Sequence, residues 1–369
     1  MFQYIIRRIL LFIPTLFLIT VISFGIIHMA PGDPAELKAG LGSGGGQRGN
    51  QQLNEQIIQE IRAQWHLNEP LWYWTIFSNA KNADGELKPL MQRLTFKWNG
   101  GKNQYQLWMV DMLHGNFGVS FQDQRPVMNK ILERLPITAF LSIVSTLLAF
   151  LIAIPLGIYS ATKSRQKSKI DTSVSTTLFV LYSLPVFWIG TLLIIFFGGG
   201  DFLSWFPNNG IHGNDYPYAS WLLNTGDFLW HVVLPIVCYT YGSFAFLSRQ
   251  MRASMLEVIR QDYIRTARSK GLSEKIVVYK HALRNSLIPI ITLAASILPG
   301  LIGGSIIIET IFTIPGLGLL SFQALTARDY PVILAVFVIT AVLTLLGILL
   351  SDILYAVVDP RIAFTKKSV

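Results

Sequence analysis

The sequence predicts an all-α polytopic membrane protein with six transmembrane helices, on the strength of its charge content, its hydropathy and the length of its apolar runs. Of 369 residues, 51% are hydrophobic and only 14% are charged; a soluble globular domain carries roughly 25% charged residues. Mean hydropathy is +0.46, and the excess lies in long uncharged runs, the distribution a bilayer selects. Six of those runs reach the roughly 20 residues that a helix needs to cross about 30 Å of hydrocarbon, where no water satisfies an exposed backbone.

In chain order the runs cover 9–27, 136–162, 172–200, 229–247, 286–308 and 331–358. The first follows Arg7 and Arg8 as a signal peptide would. Its apolar core is longer than that of a cleaved signal, so it reads as a retained helix. Prolines at 14, 155, 185, 289 and 299 predict kinks, which membrane helices tolerate where neighbours satisfy the freed carbonyls. The net charge of +9 is distributed unevenly. With the N-terminus in the cytoplasm, the cytoplasmic segments 1–8, 163–171, 249–285 and 359–369 hold 18 Lys and Arg against 5 acids. The opposite side, 31–135, 201–228 and 309–330, holds 12 against 15, so the positive-inside rule puts both termini in the cytoplasm.

Two connections are long. The external region 31–135 begins with a glycine-rich tether, 40–47, and continues with Trp65, Trp72, Trp74, Trp98 and Trp108. Such tryptophans pack a lid or lie at the membrane interface, the second being the commoner use. The cytoplasmic segment 249–285 is basic. No internal repeat is evident, which removes one pointer to an inverted-repeat carrier.

Several chemistries are missing from the sequence. There is no phosphate loop, since Gly100-Gly101-Lys102-Asn103 lacks the spacing and the hydroxyl. The histidines at 28, 66, 114, 212, 231 and 281 form no close ligand pair, and no nucleophile elbow is present. The lone cysteine, Cys238, reads as a small buried side chain. No ionisable group sits mid-span, where ion-coupled carriers keep one. Asp352 reads as a snorkelling or locally paired carboxylate at the end of the sixth helix. Glu309, where the fifth helix leaves the membrane, reads as solvated in preference to lining a passage. Gly300 and Gly304 form a small-residue step for helix packing.

The segment 249–285 carries the most information. Met251, Met255, Ile259 and Tyr263 recur every four residues and predict one apolar stripe, with Arg252, Arg260 and Arg268 on the other side. Gly271 stops this helix. Ser273 caps a second helix with Glu274 at its positive end, and Ile276, Tyr279, Leu283 and Leu287 carry an apolar face into the fifth span. The alternative is a basic loop lying on anionic headgroups, which explains the charge but not the break at Gly271.

The run 263–272, Tyr-Ile-Arg-Thr-Ala-Arg-Ser-Lys-Gly-Leu, resembles the EAA loop of ATP-binding-cassette (ABC) importer permeases in its dipeptide/oligopeptide form. Four more stretches are similar to that branch: Ala-Pro-Gly-Asp-Pro at 30–34, His-Gly-Asn-Phe-Gly-Val-Ser at 114–120, Ile-Pro-Gly-Leu-Gly at 314–318 with Arg-Asp-Tyr-Pro at 328–331, and 352–355 with Asp-Pro-Arg at 359–361. The long external insertion is similar to that of the Yej-type peptide permeases associated with microcin C uptake. There are departures. Arg265 stands at the loop's glutamate position and Thr266 at its first alanine, and Leu283-Arg284 replaces a Leu-Pro ending, which puts an acidic contact in doubt.

The resemblance implies the permease fold with a first helix over 1–30, a periplasmic insertion over 31–135, a core over 136–358 holding the coupling loop, and a cytoplasmic tail over 359–369. It implies a non-catalytic subunit that moves oligopeptides across a bacterial inner membrane by alternating access. Its partners would be a second homologous permease, cytosolic ATPases that bind the ATP and Mg, and a periplasmic peptide-binding protein, with no nucleic acid and no metal. The ATPase-coupling residues would be Arg265, Thr266, Ala267, Gly271 and Leu272. The rivals are an ion-coupled secondary carrier, which needs a titratable midplane site, and a membrane-embedded enzyme, which needs a nucleophile or metal cluster.

Overall fold

The computed structural model describes residues 2–29, 35, 51–64, 66–78, 94–165, 169–199, 202–213, 216–217, 220–297 and 304–358. Its elements begin with helix α1 (Phe2–Met29), helix α2 (Gln51–Gln64), strands β1 (Trp74–Ser78) and β2 (Leu94–Trp98), helix α3 (Gln104–Leu113) and helix α4 (Val127–Arg165). Helices α5 (Lys169–Ser183), α6 (Val186–Phe197) and α7 (Trp221–Ile259) follow. Next come the short helices α8 (Asp262–Ser269) and α9 (Glu274–Ile276), a π-helical turn over Val277–Ala282, and α10 (Leu283–Ile297). Helices α11 (Ile306–Ile311), α12 (Leu317–Ala327) and α13 (Tyr330–Val358) end the described chain. The tether 40–47, Trp65, Gly300 and the stretches 30–34 and 359–361 lie outside the described residues.

Among the described residues, four helices are long and apolar enough to cross a bilayer: Ile5–Met29, Val127–Ser164, Trp221–Ile259 and Tyr330–Ile353. Helix α1 shows why. Leu10, Ile13, Phe17 and Ile26 are all more than half exposed, as on a helix whose outer surface meets lipid. The run 172–200, expected as one kinked span, is instead α5 and α6 meeting at 97°. Pro185 causes the break. It forces Leu184 out of the helical region, and the Tyr241 hydroxyl of α7 donates to the Leu184 carbonyl left there. The run 286–308, also expected as one span, holds two helices, α10 and α11, with 298–303 outside the described residues. Gly304 at φ +66° and the extended Ser305 stand before α11, whose N-terminus is capped by Ser305 Oγ accepting from Ile308 N at 3.2 Å.

The chain packs as two compact units. One comprises Pro14–Ile131 and Ala324–Val338. Its centre is aromatic: Tyr105 of α3 is buried against Phe24, Trp72 and Trp108, with centroids 5.1–6.1 Å from its own ring. The Tyr105 and Thr20 hydroxyls share a hydrogen bond of 2.9 Å, which removes the cost of burying either. Trp72 and Trp108 are therefore packing residues, while Trp74 and Trp98 pair across the antiparallel β1–β2 ladder and stay more than half exposed. In the same unit, Ser120 Oγ donates to Asp329 Oδ2 at 2.5 Å and Phe121 N donates to Asp329 Oδ1 at 3.0 Å. Lys130 Nζ donates to Ser120 Oγ at 3.0 Å and pairs with Asp123 at 2.8 Å. Burial pushes the Asp123 carboxyl up, but Lys130, with the Arg125 N–H and Ser120, outweighs it and holds the group below the usual carboxylate range.

The other unit comprises Met1–Ile13, Leu132–Gln323 and Ile339–Val369. It contains a core of Ile137, Leu141, Val232, Cys238, Ile308 and Phe312, so Cys238 is the buried apolar side chain expected of it. A separate core joins α4, α7, α8, the π-turn and α10, and includes Ile158, Met251, Ile264 and Ala282. Arg8 pairs with Asp352 through Nε–Oδ2 at 3.0 Å and Nη2–Oδ1 at 3.3 Å, so Asp352 is a paired carboxylate, its partner coming from the far end of the chain.

Candidate functional site

The exposed corner between α7 and α10 is built on that second core. Met251, Met255 and Ile259 are buried, as their spacing requires. The stripe does not continue to Tyr263. Helix α7 ends at Ile259, Gln261 is extended, and the new helix α8 buries Ile264 and Ala267 while Tyr263 stays exposed. A two-residue break between helices resets the register, which a period-four reading carries straight through. Tyr263 instead accepts a 2.6 Å hydrogen bond from Asn285 Nδ2.

Gly271 ends the first arm at φ +77°, and its N–H donates to Arg268 O at 2.9 Å. Non-glycine residues in this left-handed region pay roughly 1–2 kcal/mol. Ser273 stands at the next N-cap without a side-chain capping bond, contrary to expectation. Glu274 is the connecting residue: its carboxylate accepts from Arg268 Nε at 3.1 Å and Nη2 at 2.9 Å, a bidentate clasp across the corner. The π-turn then shifts the second face by a residue. Val277, Val278 and Ala282 are buried, whereas Ile276 and Tyr279, expected on the apolar face, are exposed.

The five predicted coupling residues divide. Arg265, Thr266, Gly271 and Leu272 are exposed, and Ala267 is buried in the core beneath them. Arg265 lies 3.4 Å from Asp262, and the Thr266 hydroxyl donates to Asp262 O at 3.1 Å. Arg260, Arg265 and Arg268 line a basic recess of about 400 Å³. At the foot of this corner Arg252, predicted on a charged face, is fixed inward: its Nη2 and Nε donate to Asp171 at 2.6 and 2.7 Å, and Ser160 Oγ donates to the same carboxylate at 2.6 Å. The pair links α4, α5 and α7.

Glu309 corrects another expectation. It is fully buried, not solvated. Oε1 accepts from the Thr138 hydroxyl at 3.0 Å and the Tyr239 hydroxyl at 3.1 Å; Oε2 accepts from Gly318 N at 2.7 Å and Leu319 N at 3.1 Å. The carboxylate thus supplies the acceptors that the first turn of α12 lacks, where the helix dipole also favours negative charge. Thr138 Oγ1 in turn accepts from Leu317 N at 2.8 Å. A Cβ at Gly316 would collide with the Glu309 carboxylate and with Thr138 Oγ1, so the glycine of 314–318 is required by close approach. Sequence reading missed both this knot and the Ser120–Asp329 bond. The signal available was that 114–120, 314–318 and 328–331 were already singled out as family-like, and the structure shows 114–120 joined to 328–331 through Ser120 and Asp329.

The family described as binding-protein-dependent transport system inner membrane component matches residues 153–364, which include the exposed corner and the Glu309 knot apart from Thr138. The chain belongs to that family. The oligopeptide transport system permease protein AppB of Bacillus subtilis is 40% identical over 99% of this chain and 100% of its own length. The inner membrane ABC transporter permease protein YejB of Escherichia coli O157:H7 is 33% identical over 98% of each chain. The dipeptide transport system permease protein DppB of Alkalihalophilus pseudofirmus is 33% identical over 99% of this chain and 100% of its own. The resemblance to dipeptide/oligopeptide-type and Yej-like permeases therefore holds over the whole length. As a permease-family member the chain is a multi-pass membrane component of a transporter, not its catalytic part.

Proposed function

We propose that this chain is one of two permease subunits of an ATP-driven importer that moves oligopeptides, microcin C-type peptides among them, across a bacterial inner membrane. In this reading six spans place both termini in the cytoplasm and 31–135 in the periplasm, where it receives a peptide-binding protein. ATPase subunits that bind ATP and Mg grip the 264–276 corner, and their closure tilts the helices from inward- to outward-facing. The observation that carries the reading is the exposed Gly271 corner, closed by Arg268–Glu274 and rooted through Ile264 and Ala267 in the core of α4, α7 and α10. A rigid projection of that kind transmits a push; a loop resting on headgroups has no need of one.

Gly271 and Leu272 present an exposed tip, and the recess of Arg260, Arg265 and Arg268 offers cations to an acidic partner surface. Ala267 acts in this scheme by holding α8 on its core. The carrier alternative needs a charged group in mid-span, and none stands in the middle of the six apolar runs. The test is uptake of a labelled peptide by liposomes holding the assembled importer and its binding protein, with ion gradients collapsed by ionophores. Uptake that needs ATP and survives the ionophores is expected; uptake that disappears with the gradients and ignores ATP would overturn the reading.

A further inference from the structure

Arg249 of α7 stands apart from the ion pairs of this unit. Its guanidinium lies over two rings of α5, with Cζ 5.9 Å from the centroids of both Phe179 and Tyr182. Among the described residues no carboxylate pairs with it, whereas Arg252, one turn further on, is committed to Asp171. The two rings are themselves more than half exposed. With Phe246, Gln250 and Ser175 they line a cavity of about 640 Å³.

The lining has the character of a site for an anion with an apolar neighbour. A guanidinium supplies a planar fork that matches a carboxylate, Gln250 adds a neutral donor, and the rings cover carbon. Volume falls within the roughly 300–1,000 Å³ of sites for small ligands. Phe179 and Tyr182 lie in the last turns of α5, just before the 97° bend, and Arg249 stands two residues past the apolar run 229–247, toward the cytoplasmic end of α7, where a lipid headgroup or the terminal carboxylate of a passing peptide supplies the anion that the guanidinium lacks.

We propose that the Arg249, Phe179 and Tyr182 cavity is a subsite of the passage that takes the terminal carboxylate of the moving peptide, with the rings against the adjoining apolar side chain. This rests on the peptide-permease reading above. The test compares uptake of a tripeptide with a free C-terminal acid against its C-terminal amide, in liposomes holding the assembled importer and saturated with peptide-loaded binding protein. For Arg249→Gln the acid-to-amide uptake ratio should fall about tenfold from the wild-type value, the loss of one charge-assisted contact. Arg249→Lys should fall between the two, because it keeps the charge and loses the fork, and it serves also if the Gln variant does not assemble. A ratio unchanged from wild type in both variants overturns the subsite, whether or not total uptake drops. Loss of both peptides alike, seen only when the liposomes contain anionic lipid, overturns it in favour of a headgroup. Wild-type importer that moves neither peptide contradicts the peptide reading itself, a separate failure.

Discussion

At the scale of single residues, buried charge in this protein is held by donors already in place. Glu309 is the clearest instance, since removing its carboxylate leaves two backbone N–H groups and two hydroxyls without an acceptor. Each unmet buried donor costs about 1–3 kcal/mol. Glu309→Ala should therefore lower stability by roughly 3–5 kcal/mol, read as a fall in the thermal midpoint of the purified protein in detergent. Glu309→Gln should cost less, because the amide oxygen can stay on Gly318 and Leu319 while its NH₂ turns to the hydroxyls; equal losses for both variants would show that the charge itself matters most. Asp123 gives a pH signature. Its carboxyl sits below the usual range in the folded chain, so the Lys130 pair stabilises fully above about pH 4, the unfolded value, and loses that contribution as pH falls through the folded one. Amide exchange at 120–127, corrected for intrinsic rates, should keep constant protection from pH 5 to 8 and lose it below about pH 4. Asp123→Asn should remove the dependence, and a loss centred above pH 5 would contradict it.

At the scale of elements, what the sequence made legible was uniform composition and local geometry. Helices α1, α4, α7 and α13 each contain one of the long uncharged apolar runs and read as spans without reference to anything else. Gly271 was legible because a corner needs a left-handed residue, and it has φ +77°. Pro185 announced a kink, yet its angle of 97° depends on the Tyr241 hydroxyl from another helix. The break at Arg260–Gln261 and the π-turn were not legible, because a one-residue register shift leaves the average periodicity almost untouched. Nor was the Glu309 knot, whose partners Thr138 and Tyr239 lie 171 and 70 residues away. The Arg268–Glu274 clasp supports a modest prediction. With Glu274 largely exposed, Glu274→Ala should change stability by less than about 1 kcal/mol yet lower the yield of ATPases copurified with the permease, if the clasp sets the shape of the corner. An unchanged yield would reduce the clasp to surface decoration.

At the scale of the whole molecule, the account depends on sidedness and on transmission. Cys238 is buried, so a Cys238→Ser background with a single new cysteine gives clean labelling. Impermeant reagent added to intact spheroplasts should modify Lys102→Cys and spare Lys270→Cys; the reverse pattern would invert the topology. Transmission is the central claim, and Gly271→Val tests it most directly. No heavy atom lies within 4 Å of the position of a Cβ at Gly271, so the substitution acts through the backbone, where a β-branched residue resists φ +77°, and not through a clash inside this chain. Peptide uptake and ATPase retention should be measured together on membranes in which the variant inserts at the wild-type level. The account predicts that Gly271→Val abolishes uptake and Gly271→Ala reduces it less; normal uptake by Gly271→Val with full ATPase retention would contradict it.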